Sequence, residues 1–165
     1  MIKKFLLLFI IMFFAVSSAL ADQTYTIKAG VSIDKIPKDF YGTWRVTSKL
    51  QSTNRDGLFK NGGVDLWNLS RSGDVITLDN PFSGAHASIM VDEIRGNFIK
   101  FKKIGDYDNK KLTDIVKMTL SKDTFTGVNQ LKLDTVSDVD GHVMVTEWAL
   151  YQISGEKISG DSIKK

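Results

Sequence analysis

The chain contains no cysteine among its 165 residues. It therefore has no disulfide, no cysteine nucleophile and no lipid-modified cysteine at a processed N-terminus. Small extracellular domains often need disulfides, whereas a chain of this length can bury a sufficient hydrophobic core without them. The absence of cysteine is compatible with a single exported domain.

Histidine is also scarce, and motifs that carry chemistry are missing. The only histidines are His86 and His142, and the sequence contains no Gly-x-Ser-x-Gly elbow and no His-x-x-x-His or His-Glu-x-x-His pair. Two acidic turns, Asp106–Asn109 and Asp138–Gly141, lack the distant bidentate glutamate of a calcium loop. No glycine-rich phosphate loop precedes a helical segment. We expect neither an enzyme nor a bound metal or cofactor.

An excess of one charge is the third absence. Removing Lys3 and Lys4 with the expected leader leaves about 20 basic residues against 19 acidic ones. A nucleic-acid-binding domain carries clustered lysine and arginine on a strongly basic background. Here both signs are interspersed, which argues against a nucleic-acid partner.

The N-terminus has the pattern of an export signal. Lys3 and Lys4 precede an apolar run from Phe5 to Val16, and Ala19-Leu20-Ala21 forms a small-x-small cleavage site. The run of about 12 residues is shorter than the roughly 20 that a membrane-spanning helix requires. We expect a signal peptide at 1–21, cleavage after Ala21, no membrane span, and a periplasmic or secreted bacterial protein.

The rest of the chain reads as an all-β domain. Short runs rich in valine, isoleucine, threonine and aromatic residues alternate with Gly/Asp/Asn/Ser clusters, and no helical periodicity persists. Trp44, Val46, Ser48 and Leu50 alternate on one face of the first main strand. The sixth strand also alternates, and one of its faces carries Leu112, Asp114, Val116, Met118 and Leu120. The predicted strands are a short 23–28 and then 43–51, 64–70, 74–79, 86–94, 97–104, 111–121, 123–134 and 142–153.

The predicted connections alternate in length. Tight turns at 71–73, 95–96 and 122 separate longer connections at 52–63, 80–85, 105–110 and 135–141. In an up-and-down barrel, consecutive connections lie at opposite ends. The tight turns would then form a floor and the longer loops a mouth. A two-sheet sandwich joined by hairpins would give a similar pattern.

Phe40-Tyr41-Gly42-Thr43-Trp44 opens the first main strand. A glycine and then a tryptophan two residues later, at the start of eight strands, resembles the beginning of a lipocalin or calycin β-barrel. The resemblance implies an eight-stranded antiparallel up-and-down barrel with a short pre-barrel segment. It also implies that Gly42 and Trp44 form the floor, with a basic side chain after the last strand packed across the indole. That residue is usually arginine in the family, and Lys157 occupies the region here.

Together with the export signal, the resemblance divides the chain into a signal peptide (1–21), a pre-barrel segment (22–38), a barrel domain (39–157) and a C-terminal tail (158–165). It implies a small hydrophobic ligand held in the barrel. Candidate binding residues are Trp67 and Trp148 as cavity-lining indoles, Glu147 as a head-group contact if it faces inward, and Phe59 in a glycine-flanked lid at 52–63. The sequence favours a different reading for three of these residues. It favours plain core packing for the two indoles and outward exposure for Glu147.

A second interpretation assigns the domain a protein partner. Bacterial inhibitors of secreted metalloproteases are similar in outline: exported β-barrels with a tryptophan near the start and an N-terminal arm that enters the protease cleft. The segment 22–37 is comparable in position, although those inhibitors carry a disulfide and this chain cannot. In this interpretation the barrel would be filled by its own side chains.

Overall fold

The structure of the protein, a computed structural model, describes residues 31–160 and 162–164. Eight long antiparallel strands account for most of these residues, and two 3₁₀ turns precede them. The turns are Ile33–Lys35 and Lys38–Phe40. The strands are β1 (Gly42–Thr53), β2 (Gly62–Ser72), β3 (Val75–Asn80), β4 (Ala85–Arg95), β5 (Phe98–Tyr107), β6 (Lys110–Ser121), β7 (Thr124–Val136), β8 (Val143–Ser159) and a short β9 (Ser162–Lys164).

The strands close into a barrel. Each strand from β1 to β8 pairs with its neighbour in the chain, and β1 also pairs with β8. This is the predicted eight-stranded antiparallel up-and-down barrel, and a two-sheet sandwich is excluded. The short β9 runs parallel to β2 over Ser70–Ser72, just beyond Leu69, where the β1–β2 ladder ends.

The connections at one end of the barrel are all tight, as predicted. Two residues join β2 to β3, β4 to β5 and β6 to β7. At the other end, which we call the mouth, the loops 54–61, 81–84 and 137–142 are longer. The predicted longer connection at 105–110 is wrong, because β5 and β6 form one continuous hairpin closed by Asp108 and Asn109. Asp108 adopts a φ of 53°, which a turn aspartate tolerates.

Several strands extend past their predicted ends. The largest difference is β8, which continues from the predicted end at 153 to Ser159 and pairs along β1 as far as Thr43. The β9 strand lies in the predicted C-terminal tail (158–165). The predicted signal peptide and the predicted strand at 23–28 lie outside the described residues.

The pre-barrel segment packs under the floor from residue 31 onward. Phe40 and Tyr41 are fully buried, and Ile36 is nearly so. The Phe40 ring meets the Phe101 ring edge-on at a centroid distance of 5.7 Å. The Asp34 carboxylate accepts a 3.0 Å hydrogen bond from Arg71 at the end of β2. This segment therefore closes the tight-turn end of the barrel.

Most of the hydrophobic core lies in the floor half, and Ala149 and Tyr151 extend it along β8 towards the mouth. Alternation along each strand points one set of side chains inward, and directly paired residues in antiparallel ladders share a face. Near the floor these inward positions are apolar and buried. They include Trp44, Val46, Trp67, Leu69, Ile76, Leu78, Ile89, Val91, Ile99, Phe101, Val116, Met118, Leu120, Phe125 and Ile153.

Candidate functional site

Trp44 is the centre of the floor. Its side chain is fully buried, and its indole Nε1 donates a 3.1 Å hydrogen bond to the Phe40 carbonyl oxygen. Gly42, two residues earlier, has a φ of 122°, and a Cβ there would lie 2.5 Å from the Gly160 carbonyl oxygen. Only glycine fits this crossing of the first and last segments. The Phe40–Trp44 motif thus ties the 3₁₀ turn to the barrel.

Lys157 lies over this indole. It pairs directly with Trp44 in the β1–β8 ladder, and its Nζ is 5.0 Å from the ring centroid. A cation at this distance over the face of a tryptophan is attracted by the ring quadrupole. The lysine occupies the position in which the lipocalin resemblance expects an arginine.

Removing this charge is expected to destabilise the floor. Lys157→Met retains an unbranched apolar side chain and removes the cation, so the free energy of unfolding should fall by about 0.5–1 kcal/mol. Chemical denaturation followed by tryptophan fluorescence measures the change. Lys117→Met, at an exposed position on β6, is the matched control and should change stability less. An equal loss in both variants would show that the contact with Trp44 contributes nothing.

Trp67 fills the barrel above the floor. It is 5% exposed and stacks on Phe125 at 6.1 Å with an interplanar angle of 22°, while Phe101 meets it edge-on at 6.3 Å. Phe125 in turn contacts Trp44 at 5.2 Å. The side chain of Trp67 is therefore part of the packed core.

The mouth half of the interior differs from the floor half in exposure. Leu112 and Leu133 pair directly across β6 and β7, and Leu131 lies two residues deeper. All three face inward and are only half-buried. We call the mouth half of the barrel interior the cup. The partly buried apolar side chains around it are Leu50, Phe59, Ala87, Leu112, Leu131 and Leu133, and Leu50, Phe59 and Leu131 pack against the core.

A polar cluster lies in the wall of the cup. Lys103 and Asp114 pair directly across β5 and β6, and the Lys103 Nζ is 2.9 Å from Asp114 Oδ2. Asp114 is only 4% exposed. Asn129 occupies the adjacent inward position on β7, opposite Val116. Oδ1 of Asp114 and Oδ1 of Asn129 are both buried, and the Asn129 side chain lies within hydrogen-bonding reach of the Asp114 carboxylate.

Burial raises the pKa of Asp114 above its ordinary value of 3.8, and this effect outweighs the opposing influence of Lys103 and Asn129. Asp134, on the outer wall, shows the reverse. Hydrogen bonds from Lys132 at 2.7 Å and from Thr146 at 2.6 Å hold the pKa of Asp134 below 3.8. The two buried carboxyl groups therefore respond to pH with opposite sign.

The two groups are expected to affect stability in opposite directions. The folded state binds a proton at Asp114 more tightly than the unfolded state, so the stability of wild type relative to Asp114→Asn should fall as the pH rises from about 3.8. The Asp134 carboxylate should stabilise wild type relative to Asp134→Asn. This contribution should be fully present above pH 3.8 and should be lost as the pH falls below that value. Urea denaturation of the three proteins between pH 3 and pH 7 measures both slopes. If the stability difference from wild type changed with pH in the same direction for both variants, the opposite pKa shifts of Asp114 and Asp134 would be contradicted.

The loop 54–61 lies over the mouth. Phe59 is half-buried and packs against the core, whereas Leu58 at the tip is exposed. The Tyr151 hydroxyl donates a 2.9 Å hydrogen bond to the Lys60 carbonyl oxygen. At the other end of the loop, Asn54 exchanges backbone and side-chain hydrogen bonds with Trp148. The loop is held at both ends, with Phe59 placed over the cup.

Glu147 faces inward, contrary to the outward exposure that the sequence favoured. It pairs with Leu133, its side chain is 18% exposed, and its Oε1 lies 3.4 Å from Arg55 Nε in the loop over the mouth. Trp148, the next residue, is half-buried and points to the outer wall by alternation. Of the four candidate binding residues, Trp67, Glu147 and Phe59 surround the interior, and Trp148 lies outside it.

Lys103 and Asn129 were not identified from the sequence as site residues, and Asp114 was assigned only to a strand face. The signal for Asp114 was present, because it interrupts the apolar face of β6 between Leu112 and Val116. Asn129 lies in a strand with apolar residues on both faces, so its inward orientation follows only from the β6–β7 register.

The histidines are placed at the mouth end and are exposed. His86 Nδ1 contacts Asp79 on the outer wall, and His142 Nδ1 lies 2.5 Å from Asp140 in the loop 137–142. In the part of the chain that the structure describes, no three metal-ligating side chains come together. The same residues include no helix with the length and apolarity to span a bilayer.

Two shallow depressions of about 450 and 520 Å³ lie on the surface. The first is on the outer wall, where Arg45 forms a 2.6 Å ion pair with Glu156. The second lies along the start of the loop 54–61, beside Leu50 and Asn61. Neither is lined by Asp114 or Asp134.

Comparisons with protein-family models, with curated proteins and with solved structures find no match to this chain.

Proposed function

We propose that this chain is an exported lipocalin-like protein that binds a small hydrophobic molecule in the cup. The observation that carries the proposal is the half-buried state of Leu112, Leu131 and Leu133, which point into the barrel. Contact between water and apolar side chains is unfavourable. A ligand that covers these side chains removes the contact, and this contributes favourably to its binding free energy. The closed floor and the loop over the mouth favour a single bound molecule.

The first test is whether the purified protein carries a molecule. The full chain is expressed with its own N-terminus and studied by native mass spectrometry. The measured mass should be that of a chain whose first residue is Asp22. A discrete additional mass of a few hundred daltons should be present and should be lost on denaturation. A mass that retains residues 1–21 would contradict export. A protein without an adduct, before and after incubation with a lipid mixture, would contradict ligand binding.

Filling the cup should abolish binding. Ala87 faces inward opposite Leu78 and is half-buried, so Ala87→Phe is expected to occupy the cup and weaken the binding of 1-decanol at least tenfold. Ser88→Phe, at the neighbouring outward position, adds the same ring outside the barrel and should leave binding unchanged. Isothermal titration calorimetry measures both. Equal affinities for the two variants would locate the ligand elsewhere.

A protein partner is the second candidate function, and the exposed apolar loop tips favour it. Phe82 is 74% exposed and Val139 is 95% exposed, and both lie in loops at the mouth end. An inhibitor of a secreted hydrolase would use such loops for contact. The segment from residue 31 packs under the floor, so an arm could come only from residues before it. Inhibition of secreted metalloproteases by wild type, and loss of inhibition in Phe82→Ser, would support this function.

A further inference from the structure

The outer wall formed by β5 to β8 carries lysines and no carboxylates across its middle. Four successive rows of directly paired residues cross these strands on the outward face, and the rows begin at Phe98, Lys100, Lys102 and Ile104 of β5. None of the residues in these rows is acidic, and their lysines are Lys100, Lys102, Lys117 and Lys132. We call this surface the lysine wall. Since the whole chain has 22 basic and 19 acidic residues, the wall is a segregated patch of one sign.

Two neighbouring carboxylates neutralise the lysine wall only in part. Asp92, on β4, lies 3.2 Å from the Lys102 Nζ, and Asp134, one row nearer the mouth, lies 2.7 Å from the Lys132 Nζ. In both pairs the lysine side chain is more exposed than the carboxylate. A partner that approaches the wall therefore meets the ammonium groups before the carboxylates.

Lys117 lies near the centre of the wall without a counter-charge. Within the described residues no carboxylate lies at ion-pairing distance from it. It pairs directly with Lys100 across β5 and β6, and like charges in directly opposed positions destabilise a sheet. A partner that brings negative charge to this point would relieve the repulsion between the two lysines.

Apolar side chains lie between the lysines. Val128 is exposed and pairs directly with Lys117, and Ile104 is exposed at the β5 side of the wall. Trp148 is half-buried and pairs directly with Lys132. A lysine can lay its methylene stem along such apolar surface while its ammonium stays in a polar layer. The lysine wall therefore fits a partner that offers negative charge and apolar surface at the same place.

The interfacial layer of an anionic lipid bilayer has both properties. Its phosphate groups attract lysine side chains, and apolar side chains enter the boundary between the head groups and the acyl chains. Tryptophan is favoured at this depth, because its ring is apolar and its N–H is polar. A soluble polyanion would neutralise the lysines but would leave Val128 and Ile104 in water.

We propose that the lysine wall docks the protein on the surface of an anionic lipid bilayer. The barrel lies on its side in this arrangement, because the wall belongs to the flank of the barrel and not to an end. β6 and β7 are the middle strands of the four, so Lys117, Val128 and Lys132 make the central contacts. The docking uses the outside of the barrel and does not require a molecule in the cup.

Sedimentation with lipid vesicles tests the docking. Wild-type protein is mixed at pH 7 with vesicles of phosphatidylcholine alone and with vesicles of an equal mixture of phosphatidylcholine and phosphatidylglycerol. Binding to the anionic vesicles should be at least about tenfold tighter, because several lysines act together near an anionic surface. Raising the ionic strength from about 0.1 M to about 0.5 M should remove most of this preference, since salt screens exposed charges.

Two triple variants locate the contact. The wall variant combines Lys100→Gln, Lys117→Gln and Lys132→Gln, and it should bind the anionic vesicles at least about tenfold more weakly than wild type. The control variant has the same net charge and replaces three exposed lysines outside the wall by glutamine, namely Lys35, Lys38 and Lys60. Its binding should stay within about threefold of wild type, because its wall is intact.

Lys117→Glu separates docking from stability. The new carboxylate would lie directly opposite Lys100, so this variant should be at least as stable as wild type. Its binding to the anionic vesicles should nevertheless be at least about fivefold weaker, because a negative charge then faces the lipid phosphates. Urea denaturation and vesicle sedimentation measure the two effects. If the wall variant does not fold, Lys117→Glu decides alone.

Trp148 reports the orientation of the bound protein. Trp44 and Trp67 are buried inside the barrel, whereas Trp148 is half-buried on the lysine wall. Vesicles that contain brominated phosphatidylglycerol should therefore quench Trp148 in preference to the other two indoles. Trp148→Phe should still bind and should lose most of the quenching. Quenching that persists in this variant would contradict the orientation.

The remaining outcomes decide the partner. Equal binding to both kinds of vesicle, or an equal loss in the wall and control variants, would overturn the docking. Absence of vesicle binding, together with wall-dependent binding to dextran sulfate, would overturn the lipid assignment and identify a soluble polyanion as the partner. None of these results bears on ligand binding in the cup, which native mass spectrometry tests separately.

Discussion

Replacing Trp44 by alanine is expected to lower the free energy of unfolding by about 3–5 kcal/mol, the usual cost of removing a large buried aromatic side chain. Trp44 is fully buried and contacts Phe125 at 5.2 Å. The substitution would also leave the Phe40 carbonyl oxygen without the indole donor that it now accepts from. The 3₁₀ turn that closes the floor would lose its main attachment to β1.

Trp148→Ala provides the matched control for this substitution. Trp148 is half-buried on the outer wall, so its removal leaves no internal cavity. The substitution should cost about 1–2 kcal/mol, roughly half of the Trp44 effect or less. Urea denaturation monitored by circular dichroism compares the two variants. A similar loss in both would show that Trp44 is no more important to the barrel than a surface indole.

Gly155→Ala is the second substitution with a large expected effect. Gly155 faces inward on β8 opposite Phe125, and a Cβ at this position would lie 2.1 Å from Phe125 Cε1. The ring cannot move freely, because Trp44 and Trp67 pack against it. Overpacking of this kind typically costs about 1–3 kcal/mol and sometimes more. We expect a loss at the upper end of that range.

The control for the added methyl group is Gly63→Ala. Gly63 also lies in a strand, but a Cβ there would meet no atom within 4 Å, and alanine in place of glycine reduces the entropy of the unfolded chain. Its stability should be unchanged or slightly raised. Denaturation midpoints of the two variants measure the difference. If Gly155→Ala were as stable as Gly63→Ala, the packing of Phe125 over the glycine would be wrong.

The strand pattern of the barrel could be predicted from the sequence because alternation in β1 and β6 is strong. Trp44 and Val46 are buried on one face of β1, and Val116 and Met118 on one face of β6. The β5–β6 connection was predicted too long because Gly105, Asp106 and Asp108 have loop-like composition. In the structure the β5–β6 ladder extends to the Tyr107–Lys110 pair, so cross-strand pairing overrides local composition there.

The candidate site could be predicted less well than the fold. Glu147 and Asn129 occupy strands with apolar residues on both faces, so local alternation does not show which side chains point inward. Their orientation depends on register with Leu133 and Val116, which are distant in sequence. A one-residue change in register would reverse it. Only Asp114, isolated on an otherwise apolar face, carries a local sequence signal of a buried polar position, and the sequence prediction assigned it to that face alone.

The central claim is that the floor half of the barrel is filled and the mouth half binds an apolar molecule. Methyl NMR of leucine-labelled protein titrated with 1-decanol tests it most directly, because the two halves carry separate leucines. The account predicts shifts at Leu112, Leu131 and Leu133 and unchanged signals at Leu69 and Leu78, which are 0% and 3% exposed. Unchanged signals at all five, or shifts confined to Leu58 on the exposed loop, would contradict it.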